Sequence, residues 1–217
     1  MTYDVVVLDM DGTLVDTDLM LVESMMVLFR KYRPNFKISL SELIYFSGPP
    51  IEDTIATFFP NLDTRTIVEE FKELSLLYYE RDMMLYPYAK EAIEQLHDLG
   101  IPIAILTNKH RDRTIATLKM VGVDHLVDFI VGYDDVKYPK PHPEGMNRII
   151  AHFKANPTQI LFVGDTIYDY QVAKSSGVHS ALTAWSLRKF PQEVIPNIWL
   201  EDFRDLVKVV QHGTANI

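Results

Sequence analysis

Val5-Val6-Val7-Leu8-Asp9-Met10-Asp11-Gly12-Thr13-Leu14 is the stretch whose reading decides the fold. Four consecutive apolar residues, three of them β-branched, read as a short strand buried on both faces. The strand ends in two carboxylates one residue apart. Alternate side chains of a strand leave on the same side, so Asp9 and Asp11 are expected to face the same space. Gly12 lets the backbone turn sharply, and Thr13 supplies a hydroxyl. Two like charges this close repel unless a cation or a proton lies between them, and a hard oxygen site suits Mg²⁺. Taken alone, Asp11-Gly12 reads equally well as ordinary turn chemistry. Three later segments tip the balance.

Working outward, the chain turns helical at once. Leu19, Met20, Val22, Met25, Met26, Leu28 and Phe29 recur at helical spacing over residues 17–32. Further helices are predicted over 39–46, 51–59 and about 63–83, the second stopped by Pro60. The period then changes. Apolar runs at 101–106, 129–131, 160–163 and 178–183 alternate with helical patterns at 89–99, 111–121, 143–153 and 168–176. An edge strand expected at 198–200 and a helix at 203–210 close the series. Strands alternating with helices imply a Rossmann-like parallel α/β sheet. The all-helical stretch does not fit that layer pattern and reads as a cap inserted after strand one. The expected division is a core of residues 1–15 and 86–217 and an α-helical cap of residues 16–85. The hinge is expected near Leu14–Asp16 and Met84–Pro87.

Composition narrows the function. With 217 residues, 47% of them hydrophobic, the chain can bury one sizeable core plus an insertion. The net charge of −9 argues against nucleic acid or an anionic membrane as the main partner, though not against a small anionic substrate held by a metal. The absence of cysteine rules out disulfides, thiolate metal sites and a cysteine nucleophile. No run reaches the roughly 18 apolar residues of a membrane span. A cytoplasmic enzyme, monomeric or weakly dimeric, is the expectation.

Ligands of open parallel sheets bind outside the carboxyl ends of the strands. Each polar cluster falls at such an end: Asp9-Met10-Asp11, Thr107-Asn108-Lys109, Lys140-Pro141-His142-Pro143, and Gly164-Asp165 through Asp169. Singly, each has a plain reading. Thr107 could cap the next helix, Lys140 could be a solvated loop charge, and Asp165 and Asp169 could be acids favoured at a helix start. Their convergence on one sheet edge is what points to phosphoryl chemistry.

In this order the segments resemble the haloacid dehalogenase superfamily of phosphohydrolases. The motifs are DMDGTLVDT (9–17), LTNK (106–109), KPHP (140–143) and VGDTIYD (163–169). SGPPIEDTIATFF (47–59) and TAWSLR (183–188) are similar to the phosphoglycolate phosphatases and a bacterial pyrophosphatase branch. The resemblance implies that Asp9 is the nucleophile that forms an aspartyl-phosphate and a metal ligand. It implies that Asp11 is the general acid/base, its backbone carbonyl ligating the metal. Thr107 and Lys140 would clamp the phosphate, with Asn108 adding a donor. Asp165 would be the second carboxylate on Mg²⁺, and Asp169 would hold metal-bound water. Gly48, Pro49 and Pro50 would form the cap loop that selects the substrate, a small phosphorylated metabolite.

Two other readings remain. Sugar phosphomutases of the same superfamily keep both aspartates, but usually carry an adjacent acidic pair where this chain has Gly164-Asp165. An aspartyl-phosphate switch module uses similar residues without turnover, but separates its phosphorylated aspartate from the acidic pair of strand one.

Overall fold

The computed structural model describes residues 3–213. The ends of the expected core, residues 1–2 and 214–217, lie outside the described residues. The apolar runs form one parallel sheet of β1 (Val5–Leu8), β4 (Ile103–Leu106), β5 (Phe129–Val131), β6 (Ile160–Gly164), β7 (His179–Thr183) and β8 (Ile198–Leu200). Its order is β5-β4-β1-β6-β7-β8, with every neighbouring pair parallel. Strand β1 is central and buried along its whole length, as a run without polar residues requires.

The period of two divides that strand between two cores. Val6 and Leu8 pack with Ile103, Ile105, Leu161 and Val163 on the face covered by α5 (Ala89–Asp98) and α9 (Phe203–His212). Val5 and Val7 pack with Ala104, Leu106, Ile160 and Phe162 on the face covered by α7 (Glu144–Phe153) and α8 (Ile167–Ser176). Helix α6 (Arg111–Met120) follows β4. The chain therefore leaves β1 at the middle of the sheet edge, between β4 and β6.

The insert after β1 builds its own apolar cluster. Helices α1 (Asp18–Tyr32), α2 (Leu40–Leu43), α3 (Ile51–Phe58) and α4 (Thr64–Asp82) bury Met25, Leu28, Phe29, Leu43, Ile55 and Phe59 among themselves. Phe29 is in ring contact with Phe36, Phe46, Phe58 and Phe59. The two connections to the core run side by side. β2 (Val15–Asp16) pairs antiparallel with β3 (Met84–Leu85), joining Val15 to Leu85 and Asp16 to Met84.

Two elements differ from the sequence reading in detail. The helix expected over 39–46 is a four-residue helix followed by a 3₁₀ turn, Ile44–Phe46. The tighter winding carries Phe46 inward, just before Gly48 at φ +120° and two prolines end the helix. Helix α8 begins at Ile167 because Thr166 caps it. The Thr166 hydroxyl accepts from the Asp169 N–H, and the Asp169 carboxylate accepts from the Thr166 N–H.

Candidate active site

The carboxyl edge of the sheet is held in place by the backbone before any side chain is considered. The Asp9 N–H donates to Val163 O at 2.9 Å, extending the β1–β6 pairing by one residue. The Thr107 N–H donates to Val131 O at 3.1 Å, extending β4 toward β5. Asp9 and Thr107 thus have their backbone locked into the sheet while their side chains stand beyond it.

Asp9, Thr107, Lys140, Asp165 and Asp169 are all buried, and Asp165 is fully so. Lys140 Nζ lies 2.8 Å from Asp9 Oδ1 and 2.6 Å from Asp169 Oδ1. It also sits over the Phe162 ring at 5.7 Å. A buried ammonium is tenable only when paired, and the two carboxylates push its pKa up against the opposing effect of burial. The solvated loop charge that Lys140 could have been is therefore excluded.

Asp165 is held at both oxygens. Oδ1 accepts from the Thr13 hydroxyl at 3.0 Å, and Oδ2 accepts from Arg188 Nη1 at 2.5 Å. Burial pushes the Asp165 carboxyl up to about 8, against the pull of Arg188. Burial likewise pushes Asp9 up to about 7, against the pull of Lys140. Both acids thus take up a proton near neutrality unless more positive charge arrives.

Carboxylate oxygens of Asp9, Asp165 and Asp169 lie within 4.8 Å of one another. Together with buried Asp18, these are four carboxylates served by two buried cations, Lys140 and Arg188. The imbalance is two negative charges, what one divalent cation supplies. The hard carboxylate oxygens of Asp9 and Asp165 and that deficit fit Mg²⁺, while the Asp169 oxygens are taken up by Lys140 and Thr166. The Asp11 side chain is not part of this group. It turns toward Lys109, whose Nζ lies 2.9 Å from its Oδ1.

The two amide hydrogens of Asn108 are engaged within the protein. Nδ2 donates to Gly48 O at 2.8 Å and to Lys140 O at 3.1 Å, while Oδ1 accepts from the Lys140 N–H at 2.9 Å. Asn108 is thus a bracket between the Lys140 loop and the cap loop. Thr107 does not cap α6; its hydroxyl accepts from the Lys109 N–H at 3.2 Å and the residue faces the site.

Over the edge, the insert overhangs a cavity of about 130 Å³. This is well below the roughly 300–1,000 Å³ of pockets for drug-sized ligands. Its floor is Asp9, Asp11, Thr107, Asn108, Lys109 and Lys140; its roof includes Ser47, Gly48 and Pro49, with Lys72 and Ser75 of α4. Pro50 is buried and lines a separate groove on the other side of the loop.

Sequence reasoning missed Lys109, Asp18 and Arg188. Lys109 stands two residues after Thr107, which was a signal. The pairs Lys109–Asp11 and Arg188–Asp18 span 98 and 170 positions, and no local pattern announces them. No helix among the described residues is long and apolar enough to cross a membrane.

A parallel α/β sheet with a helical insert behind its first strand, and carboxylates and a lysine gathered under that insert, defines a capped α/β enzyme. The chain belongs to the haloacid dehalogenase-like hydrolase family, whose model matches residues 6–183. It is similar to the pyrophosphatase PpaX of Oceanobacillus iheyensis, 29% identical over 99% of this chain and 100% of that one. Among solved structures it is similar to a predicted phosphoglycolate phosphatase from Haemophilus somnus, with TM-score 0.76 and 25% identity over 97% and 99% of the two chains. A haloacid dehalogenase-like family hydrolase from Streptococcus pneumoniae superposes with TM-score 0.79 at 20% identity, over 95% and 97% of the two chains.

Proposed function

We propose that the protein is a Mg²⁺-dependent phosphatase acting on a small phosphorylated metabolite, a phosphoglycolate-like phosphomonoester or pyrophosphate, through an aspartyl-phosphate on Asp9. The observation that carries this reading is the buried contact of Lys140 with Asp9 and Asp169, where Lys140 and Asp9 line the floor of a small cavity. Nothing in ordinary packing calls for a lysine there, whereas a transferring phosphoryl group needs a cation beside its nucleophile.

Asp9 attacks phosphorus in line with the leaving oxygen. Asp11 gives that oxygen a proton, then takes one from the water that hydrolyses the acyl phosphate. The Thr107 hydroxyl and the Lys140 ammonium hold phosphoryl oxygens. Lys109 holds Asp11 at the cavity wall, and Asn108 holds the Lys140 loop. Asp9, Asp165 and the Asp11 carbonyl would hold the metal, with Asp169 fixing Lys140 and metal-bound water. The metal, when bound, supplies charge neutralisation at the phosphoryl group.

Residues 16–85 form a cap on a core of residues 1–15 and 86–217, and Gly48 to Pro50 bias the choice of substrate. The reading assumes a cytoplasmic protein, monomeric or weakly dimeric. Hydrolysis is favoured over the phosphomutase reading by Gly164. A Cβ at that position would come within 2.3 Å of Asp169 Cβ, so an acidic pair could not stand there without displacing the residue that holds Lys140.

The test is a panel of phosphoglycolate, pyrophosphate and sugar phosphates, assayed with Mg²⁺ and with excess chelator. Steady-state release of phosphate that chelator abolishes supports the reading. Single-turnover phosphorylation without release, or isomerised sugar phosphate, overturns it.

A further inference from the structure

Arg188 is the one arginine buried among the described residues, and it is buried between two carboxylates of different parts of the molecule. It comes from the loop that follows β7. Nη1 lies 2.5 Å from Asp165 Oδ2, at the carboxylate assigned above to the metal. Nη2 lies 2.6 Å from Asp18 Oδ1. Asp18 is the first residue of α1, two residues beyond the strand ribbon that joins insert and core. One guanidinium therefore ties the metal site to the root of the cap.

The tie is unsymmetrical. Toward Asp18 the guanidinium makes one short contact and one long one, Nη1 to Oδ2 at 3.4 Å. Arginine and carboxylate pair best as two parallel bonds, and the second limb here is stretched because Nη1 is drawn to Asp165. Arg188 Nε is buried without a partner, so the side chain is not locked at every donor. A divalent cation and the guanidinium also compete for the same carboxylate, since each needs the charge of Asp165.

We propose that Arg188 shuttles between the metal site and the cap: as Asp165 turns its charge to the metal, the guanidinium passes to Asp18, closes the two-bond pair and tightens the seat of α1. This rests on the metal reading given above. It assigns Arg188 and Asp18 as positioning residues through which metal occupancy steadies the cap. It follows that Asp18 favours metal binding by drawing a competing cation away from Asp165.

The test uses the full chain without substrate. Mg²⁺ affinity is measured by titration calorimetry for wild type, Asp18→Asn, Arg188→Gln and the double variant. Amide hydrogen exchange of residues 17–21 is followed with and without Mg²⁺. Mg²⁺ is expected to slow exchange there in wild type and to leave it unchanged in Asp18→Asn. Asp18→Asn is expected to weaken Mg²⁺ binding about fivefold or more, the low end of coupling between linked sites. In the Arg188→Gln background the same substitution is expected to have a clearly smaller effect, because the competitor is gone.

Equal effects of Asp18→Asn in both backgrounds, or no effect in the first, overturn the proposal. A merely structural role for Asp18 would give equal effects. If Asp18→Asn does not fold, Arg188→Lys replaces it. Lysine keeps the charge but lacks the fork, so the exchange response to Mg²⁺ is expected to vanish, and its persistence overturns the shuttle. No Mg²⁺ binding by wild type overturns the metal reading together with this one. Binding without coupling overturns this one alone.

Discussion

The Asn108 side chain donates to the Gly48 carbonyl across 2.8 Å, joining the end of β4 to the loop that roofs the cavity. The same amide holds the Lys140 backbone on both sides, through its N–H and its carbonyl. Asn108→Ala leaves these partly buried groups unpaired, each at a cost of about 1–3 kcal/mol. The expected result is a lower Tm and a raised KM, with Mg²⁺ affinity little changed because the carboxylates proposed to hold the metal lie elsewhere. Thermal melts and steady-state kinetics check both halves. An unchanged KM would show that the bracket does not hold the cavity.

Metal removal is expected to abolish turnover, and Ca²⁺ to restore it poorly, because its larger, looser coordination misplaces the in-line attack. The metal-free protein should also show a particular pH dependence. Burial raises Asp9 to about 7 and Asp165 to about 8 in the folded state, whereas in the unfolded chain both titrate near the ordinary aspartate value. Folding therefore takes up protons between those limits. Their contribution to stability is full below the unfolded pKa and is lost as pH rises through about 7 and 8. Melting in excess chelator should give a Tm that falls over that window, and saturating Mg²⁺ should flatten the fall. A chelated Tm that rises across it would contradict the burial of uncompensated charge.

The different roles proposed for the two aspartates that follow β1 predict unequal losses. Asp9→Asn should abolish turnover and leave no covalent phosphate on the protein. Asp11→Asn should retain a residual rate, since general acid/base help is worth about 10²–10⁴. Lys109→Met should resemble a mild Asp11 variant, because Lys109 Nζ pairs with the Asp11 carboxylate. Rapid-quench detection of phosphorylated protein, with the three kcat values side by side, checks the order. Wild-type kcat in Asp9→Asn would remove the nucleophile from the scheme.

The residues that were legible in the sequence are those whose position follows from the chain alone. Val5 to Leu8 read as a short strand buried on both faces, and a carboxylate after such a strand has to stand at the sheet edge. The same logic placed Thr107 after β4 and Asp165 after β6. Asp169 was legible as an acid at a helix start, but not as the partner of Lys140, 29 positions away. Asp18 carried no reading of its own, and Arg188 was legible only as the last residue of the TAWSLR segment. Their pairing depends on where β7 ends relative to the start of α1, which is a property of the folded sheet and not of either segment. The helix over 39–46 was legible in extent but not in winding, because the 3₁₀ turn at Ile44–Phe46 depends on the burial of Phe46 among the other helices of the insert.

The cap loop gives the remaining prediction. Gly48 has φ +120°, a conformation that side-chain-bearing residues rarely adopt, and a Cβ there would meet Thr166 Cγ2 at 3.0 Å. Gly48→Ala is therefore strained in the backbone and crowded against the cap of α8, and the loop has to move. Pro49 lines both the cavity and the neighbouring groove, whereas Pro50 lines the groove and not the cavity. Pro49→Ala should loosen the roof without a new contact. Both Gly48→Ala and Pro49→Ala should alter KM and the ranking of phosphoglycolate, pyrophosphate and sugar phosphates, while Pro50→Ala should change the ranking less. None should move Mg²⁺ affinity by more than about twofold (~0.4 kcal/mol), because Asp9 and Asp165 sit on the sheet edge and not in the loop. kcat/KM for each substrate, read beside Mg²⁺ titrations of the same variants, tests this division. An identical ranking in all three variants would free the loop of any part in choosing the substrate, and a large loss of Mg²⁺ affinity would show that roof and metal site are not separable.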